Sequence, residues 1–176
     1  MTLEDIKARL PDYAKDLRLN LDSVLSESGA QGLSPPQIAI IAIASATAAR
    51  YKPLGEAIAA RFSGDIDEAQ ANAARAAAAI MAMNNIYYRF THLVGNEEYA
   101  TMRAGLRMNV IANPGCDKID FELASIAVSA INGCGMCMES HEKTLQKHGV
   151  SSQAIQSAVR IAAVLHGVAV TAEQAD

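Results

Sequence analysis

SPPQIAIIAIASATAAR, residues 34–50, opens with a helix N-cap and two first-turn prolines, then turns apolar almost all the way round. Proline is tolerated in the first turn because the N–H it lacks would have no partner there. A helix without a polar face must be buried on every side, so this segment, expected to run to Tyr51, is read as the centre of a helical assembly. The composition agrees. Of 176 residues 34 are Ala, the strongest helix former, while aromatics make up 5% and Trp is absent. Side chains that small suit helices in close approach.

Upstream, Thr2 and Asp5 form a capping-box pattern with Asp in place of Glu. The helix they open is interrupted or restarted at Pro11, runs towards Leu25 and is ended by Gly29 and Gly32. Downstream, Pro53 starts a short helix closing near Ser63-Gly64, and a long Ala-rich helix runs from Asp65 or Asp67 to about Val94. Asn96 caps a short segment carrying Met102, Leu106 and Met108, and Asn113-Pro114-Gly115 is the clearest break. Three further helices are expected: about Asp120 to Ile131, Cys134 to His148, and a last one capped by Ser151 or Ser152. No period-two alternation competes with them. The expectation is an all-α protein of seven to nine helices, compact over residues 1–176 as a single domain.

Function classes are narrowed by charge and cysteine content. Lys and Arg total 15 against 19 Asp and Glu, a net of −4, which leaves no basic face to neutralise a run of phosphates. The longest apolar run, Ile38 to Ala49, is short for a membrane span, and MTLEDIKARL lacks the apolar core of a secretory signal. A soluble, cytoplasmic protein is expected. Three cysteines, Cys116, Cys134 and Cys137, are too few for a secreted disulfide framework, and the close pair points to redox chemistry or metal. An internal echo at an offset of 48 residues pairs Ala76, Ala79, Ala82 and Asn84 with Ala124, Ala127, Ala130 and Asn132, with a helix break expected after each copy. Only the second copy carries chemistry, because Ala74, Ile86 and Arg89 stand where Glu122, Cys134 and Cys137 would fall.

The chemistry lies between Glu122 and His141. Cys134-Gly-Met-Cys137 at the start of a helix can close a disulfide locally, and the helix end stabilises a thiolate. His141 follows Cys137 by four residues and Cys134 by seven, which places all three on one face, where an imidazole can exchange a thiol proton. If the chain turns back at Asn132-Gly133, the Glu122 carboxylate reaches His141 and serves as a base. Blander readings stand beside this one. Taken alone, Glu122 reads as a solvent-facing charge. The cysteines and His141 could instead hold zinc with Glu122, Cys116 or His148 as fourth ligand, although structural zinc sites usually offer a second matching pair. His92, His148 and His166 have no partner by spacing, His148 suits a helix C-terminus, the methionines read as core filler, and Cys116 reads as a spare thiol.

The pattern Glu122, eleven residues, Cys134-Gly-Met-Cys137, three residues, His141 resembles the signature of the AhpD-like family in the carboxymuconolactone decarboxylase superfamily. LPDYAKDLRLNL, AAAIMAMNNIYYR, GLRMNVIANPG and FELASIAVSAINGC extend the resemblance over nearly the whole chain. It implies an all-helical fold with a duplicated helical unit, the site falling in the second repeat at about 119–148, and a homotrimer. It also implies an antioxidant peroxidase without a bound cofactor that reduces alkyl hydroperoxides and regenerates the peroxiredoxin AhpC. Electrons would come from NADH through dihydrolipoamide dehydrogenase and a lipoylated acyltransferase, with dihydrolipoamide as the immediate donor. Cys137 would be the peroxidatic cysteine, forming the sulfenic acid and a mixed disulfide with AhpC. Cys134 would be the resolving thiol and proton donor, closing the Cys134–Cys137 disulfide, with Glu122 as general base and His141 as proton relay. Met136 departs from the pattern, standing where better-known members carry a second histidine.

The roles of the two thiols are what the resemblance implies, and bare physical chemistry is divided over them. A helix terminus favours the thiolate on Cys134 by about 0.3–1 kcal/mol when exposed. A base directed across one turn is the larger lever and favours Cys137. The alternatives to a peroxidase are a general thiol–disulfide reductase serving a partner and a zinc-carrying interaction module. Decarboxylation gives the cysteine pair no role.

Overall fold

Ser34 begins the central helix as expected, its backbone N–H donating to Gln37 Oε1. This computed structural model describes residues 1–175, and among them there is no strand. The helices are α1 (Leu3–Arg9), α2 (Lys15–Val24), α3 (Pro35–Ala48), α4 (Lys52–Arg61), α5 (Glu68–Leu93), α6 (Glu98–Thr101), α7 (Asn109–Ala112), α8 (Lys118–Ile131), α9 (Gly135–Lys147) and α10 (Ser152–Ala175). A short 3₁₀ turn, Asp12–Ala14, follows Pro11.

Every residue of α3 from Ile38 to Ala46 is buried, which is what its all-round apolar pattern requires. Helices α4, α5, α8 and α10 pack around it. Each fully buried Ile contributes roughly 1.5–3 kcal/mol by leaving water, and the alanines of α3, α5 and α8 let the backbones come close. Gln37 Nε2 donates to Asp120 Oδ1 at 2.9 Å, tying the first turn of α3 to the first turn of α8.

The helix count exceeds the sequence expectation because α6 and α7 are single turns. Asn96 does cap α6, its Oδ1 accepting from the Glu98 N–H at 3.0 Å, but Met102, Leu106 and Met108 lie outside the turns. Helix α3 stops short of Tyr51, because Arg50 adopts a left-handed backbone (φ 67°). The cap of α5 is Asp67 rather than Asp65, with a reciprocal box to Gln70. Helix α8 starts two residues earlier than expected because Asp117 caps it through Ile119 N–H at 2.7 Å.

The long helix expected to reach about Val94 is found, so the break that the echo placed after Asn84 does not occur: α5 runs through to Leu93. No glycine follows Asn84, whereas Gly133 follows Asn132 and takes φ +68°, so only the second copy of the echo can end its helix there. One helix, α10, has the length and apolarity to cross a bilayer, with half of that stretch buried inside the protein. Its buried apolar residues, from Ala154 to Ala172, join the common core against α2, α3 and α8.

Candidate active site

The turn between α8 and α9 is a Schellman motif. Cys134 N–H donates to Ser129 O at 3.1 Å, Gly133 N–H donates to Ala130 O at 3.2 Å, and Gly133 supplies the left-handed residue. Helix α5 holds this turn from the side. Asn85, fully buried, donates from Nδ2 to Ser129 Oγ at 2.9 Å and accepts at Oδ1 from Asn132 Nδ2 at 3.0 Å. Arg89 Nη1 donates to the Asn132 carbonyl. The α8 C-terminus is therefore pinned at three groups, and the direction in which α9 leaves is fixed.

Cys134 is the N-cap of α9, and Sγ accepts from the Cys137 N–H at 3.3 Å. The two cysteines are joined in a disulfide, with Cα atoms 5.3 Å apart. Their exposures differ in a way that matters. Cys134 is completely buried, whereas Cys137 is 7% exposed and lines a cavity of about 380 Å³. Glu122 and His141 line the same cavity, and Glu122 Oε2 lies 2.6 Å from His141 Nδ1. Glu122 is 7% exposed, so the solvent-facing reading of this residue is overturned: its carboxylate is turned to His141 of α9, not to water. When Glu122 acts as a carboxylate it only accepts, which puts the hydrogen on Nδ1 and leaves Nε2 of the neutral ring as the acceptor.

The rest of the cavity wall mixes the apolar Met81, Met108, Ile111 and Met136 with the polar Asn84, Tyr88, Ser140 and Thr144. The methionines were expected to be filler, yet three of the seven line the cavity. Met136 makes the wall beside Cys137 apolar where a histidine would have been a base. Asn84, Asn85 and Arg89 were not singled out for the site by motif reasoning. The signal available was two adjacent asparagines inside an otherwise Ala-rich apolar helix, where each must answer for its polar atoms.

The other candidates lie elsewhere. His148 Nδ1 meets Thr144 O at 2.8 Å, closing the end of α9 as its position beside Gly149 suggests. No group of three His, Cys, Asp or Glu side chains among the described residues is placed to hold a metal ion. Cys116 is half-buried and its Sγ–H donates to the Asp117 carbonyl at 3.3 Å. Burial, reinforced by Asp120, Asp117 and Asp67, pushes its thiol up to about 11. Since the thiolate is the reactive form, Cys116 stays protonated near neutral pH. Iodoacetamide treatment of reduced protein is therefore expected to alkylate Cys137 and spare Cys116, read by peptide mass. Alkylation of Cys116 at the same rate would contradict that thiol's assignment as a bystander.

Residues 97–175 match the sequence model of the Carboxymuconolactone decarboxylase family, a stretch containing α6 to α10 and both site cysteines. Full-length relatives narrow the class. The chain is 51% identical over 176 residues to the alkyl hydroperoxide reductase AhpD of Brucella abortus, covering 100% of this chain and 99% of that protein. It is 56% identical over 173 residues to the protein of that name from Rhodopseudomonas palustris, covering 98% and 94%. It is 57% identical over 167 residues to that of Coxiella burnetii, covering 95% and 94%. The chain belongs to the AhpD family.

Proposed function

We propose that this protein is an alkyl hydroperoxide reductase whose working group is the Cys134–Cys137 dithiol, reduced by dihydrolipoamide and able to regenerate the peroxiredoxin AhpC. The observation that carries the reading is the placement of Cys137, but not Cys134, on a cavity shared with the hydrogen-bonded Glu122–His141 pair. Alkyl hydroperoxide reductase is the name borne by the relatives with which the chain shares half or more of its residues.

In the cycle the geometry supports, His141 Nε2, with its ring held by Glu122, takes the Cys137 thiol proton. The thiolate attacks the terminal oxygen of the hydroperoxide, a sulfur–oxygen bond forms, the oxygen–oxygen bond breaks, and the leaving alkoxide takes a proton from the relay. Sulfur has then been oxidised by two electrons and stands as the Cys137 sulfenic acid. The Cys134 thiol condenses with it, releasing water and giving the disulfide. A dithiol donor reverses this by exchange, its thiolate attacking Cys137 because Cys134 is inaccessible. The apolar wall made by Met81, Met108, Ile111 and Met136 suits the alkyl group.

The proposed setting is the cytoplasm, with a lipoylated acyltransferase and dihydrolipoamide dehydrogenase upstream. A homotrimer is part of the reading, supported by the large apolar side chains Ile86, Phe90, Leu93 and Met102 exposed along the end of α5 and the segment after it. NADH oxidation coupled through dihydrolipoamide dehydrogenase and lipoamide to an alkyl hydroperoxide tests the activity, run with and without AhpC. Oxidation that needs this protein is the expected result, and a rise with AhpC identifies the recycling role. No oxidation by protein whose two thiols titrate as free would sink the peroxidase reading. Sedimentation equilibrium of the same sample reads the stoichiometry, and a monomer would remove the trimer.

A further inference from the structure

Asn84 and Asn85 are adjacent near the middle of α5 and both are buried, yet their polar atoms are disposed of differently. Asn85 is committed to the α8–α9 turn through Ser129 and Asn132. Asn84, 4% exposed, lines the cavity that holds Cys137, Glu122 and His141. Its side-chain carbonyl Oδ1 has no hydrogen-bond partner among the described residues. A buried amide oxygen left without a donor is costly, and because the Asn84 side chain itself lines the reaction cavity, a turn of its amide about the soft χ2 torsion brings that oxygen to a donor arriving with the substrate.

The reacting species supply one. A hydroperoxide carries a single hydroxyl hydrogen, on the terminal oxygen that Cys137 attacks. That hydrogen is not consumed in the attack: when the oxygen–oxygen bond breaks, the same O–H remains on sulfur as the sulfenic acid. The relay hydrogen goes to the other oxygen and leaves with the alcohol. One fixed acceptor therefore serves the substrate, the transition state and the intermediate in turn, without moving. The relay side chains are occupied with each other, since Glu122 Oε2 is bonded to His141 Nδ1.

We propose that Asn84 is a catalytic residue whose Oδ1 accepts the hydroxyl hydrogen of the bound hydroperoxide, aims its terminal oxygen at Cys137, and afterwards holds the sulfenic acid O–H until Cys134 condenses with it. The proposal rests on the peroxidase reading above. An apolar side chain of similar size at this position loses the acceptor without emptying the space, so Asn84→Leu is the first test. Its kcat/KM for an alkyl hydroperoxide falls by roughly 10–100-fold relative to the rate at which the same sample reduces a small aromatic disulfide, a reaction that uses the dithiol but no hydroperoxide. Asn84→Ser, which keeps a smaller oxygen acceptor, recovers part of the loss, and circular dichroism with a denaturant midpoint establishes that both variants fold.

In the Cys134→Ser background, Asn84→Leu also shortens the life of the sulfenic acid, read by capture with a cyclic diketone and mass measurement. Equal losses in the peroxide and disulfide reactions would mean a structural role and overturn the proposal. Unchanged hydroperoxide kinetics in Asn84→Leu would mean that the carbonyl accepts nothing from the substrate, and would overturn it as well. Absence of hydroperoxide turnover in the parent protein, with disulfide reduction intact, would instead strike the peroxidase reading and take this proposal with it.

Discussion

Replacing Cys137 with Ser abolishes hydroperoxide turnover, whereas Cys134→Ser leaves a protein that completes one turnover and stops at the sulfenic acid. The asymmetry follows from where the sulfurs sit. Cys137 lines the cavity with the imidazole proposed to take its proton, and Ser offers neither a comparable anion at neutral pH nor an oxidisable atom. Cys134 is out of reach behind it, at the N-cap of α9, and acts only when a sulfenic acid has formed three residues away. Stopped-flow with excess hydroperoxide should show a stoichiometric burst from Cys134→Ser and nothing from Cys137→Ser. Steady-state activity at the parent level in either variant would dispose of the dithiol cycle.

Glu122→Gln slows hydroperoxide reduction by roughly 100-fold, the lower end of what a positioned acid or base contributes. Gln keeps the volume and an oxygen that can accept from His141 Nδ1, so the fold is retained. What is lost is the negative charge 2.6 Å from the ring, which in the proposed cycle faces the imidazolium once it has formed. The pH–rate profile is the decisive reading, because a residue that only packs would leave its shape alone. A profile superimposable on that of the parent would reduce Glu122 to a filler of buried space.

The helical frame was legible because its signals are local. A serine and two prolines start α3, Asp67 and Gln70 box the start of α5, and Gly133 and Gly149 each take the left-handed turn that ends a helix. The spacing from Cys137 to His141 was enough to put those two on one face of α9, but Cys134, expected beside them, is the buried N-cap and stays off the cavity, while the turn at Asn132-Gly133 was enough to bring Glu122 to His141. Other features depend on partners distant in sequence. That Glu122 points inward is decided by α9, and a lone acidic residue carries no mark of that. The echo suggested a helix break after Asn84 because it matched alanines, but the missing glycine outweighs the match. Asn85 and Arg89 hold a turn more than forty residues away, so no motif centred on the cysteines could include them.

The dependence of that turn on α5 bears on attempts to transplant the chemistry. The segment from Glu122 to His141 holds all four side chains of the proposed cycle, and the region shared with the wider family, residues 97–175, contains it entire. Asn85 and Arg89 lie outside both. A host scaffold given only the cysteine-bearing hairpin would inherit the correct intervals but not the clamp that sets the angle between its arms. The donor cassette worth moving is discontinuous: two helices contiguous in sequence and a third, borrowed from the first half of the chain, that contributes rigidity instead of reactivity.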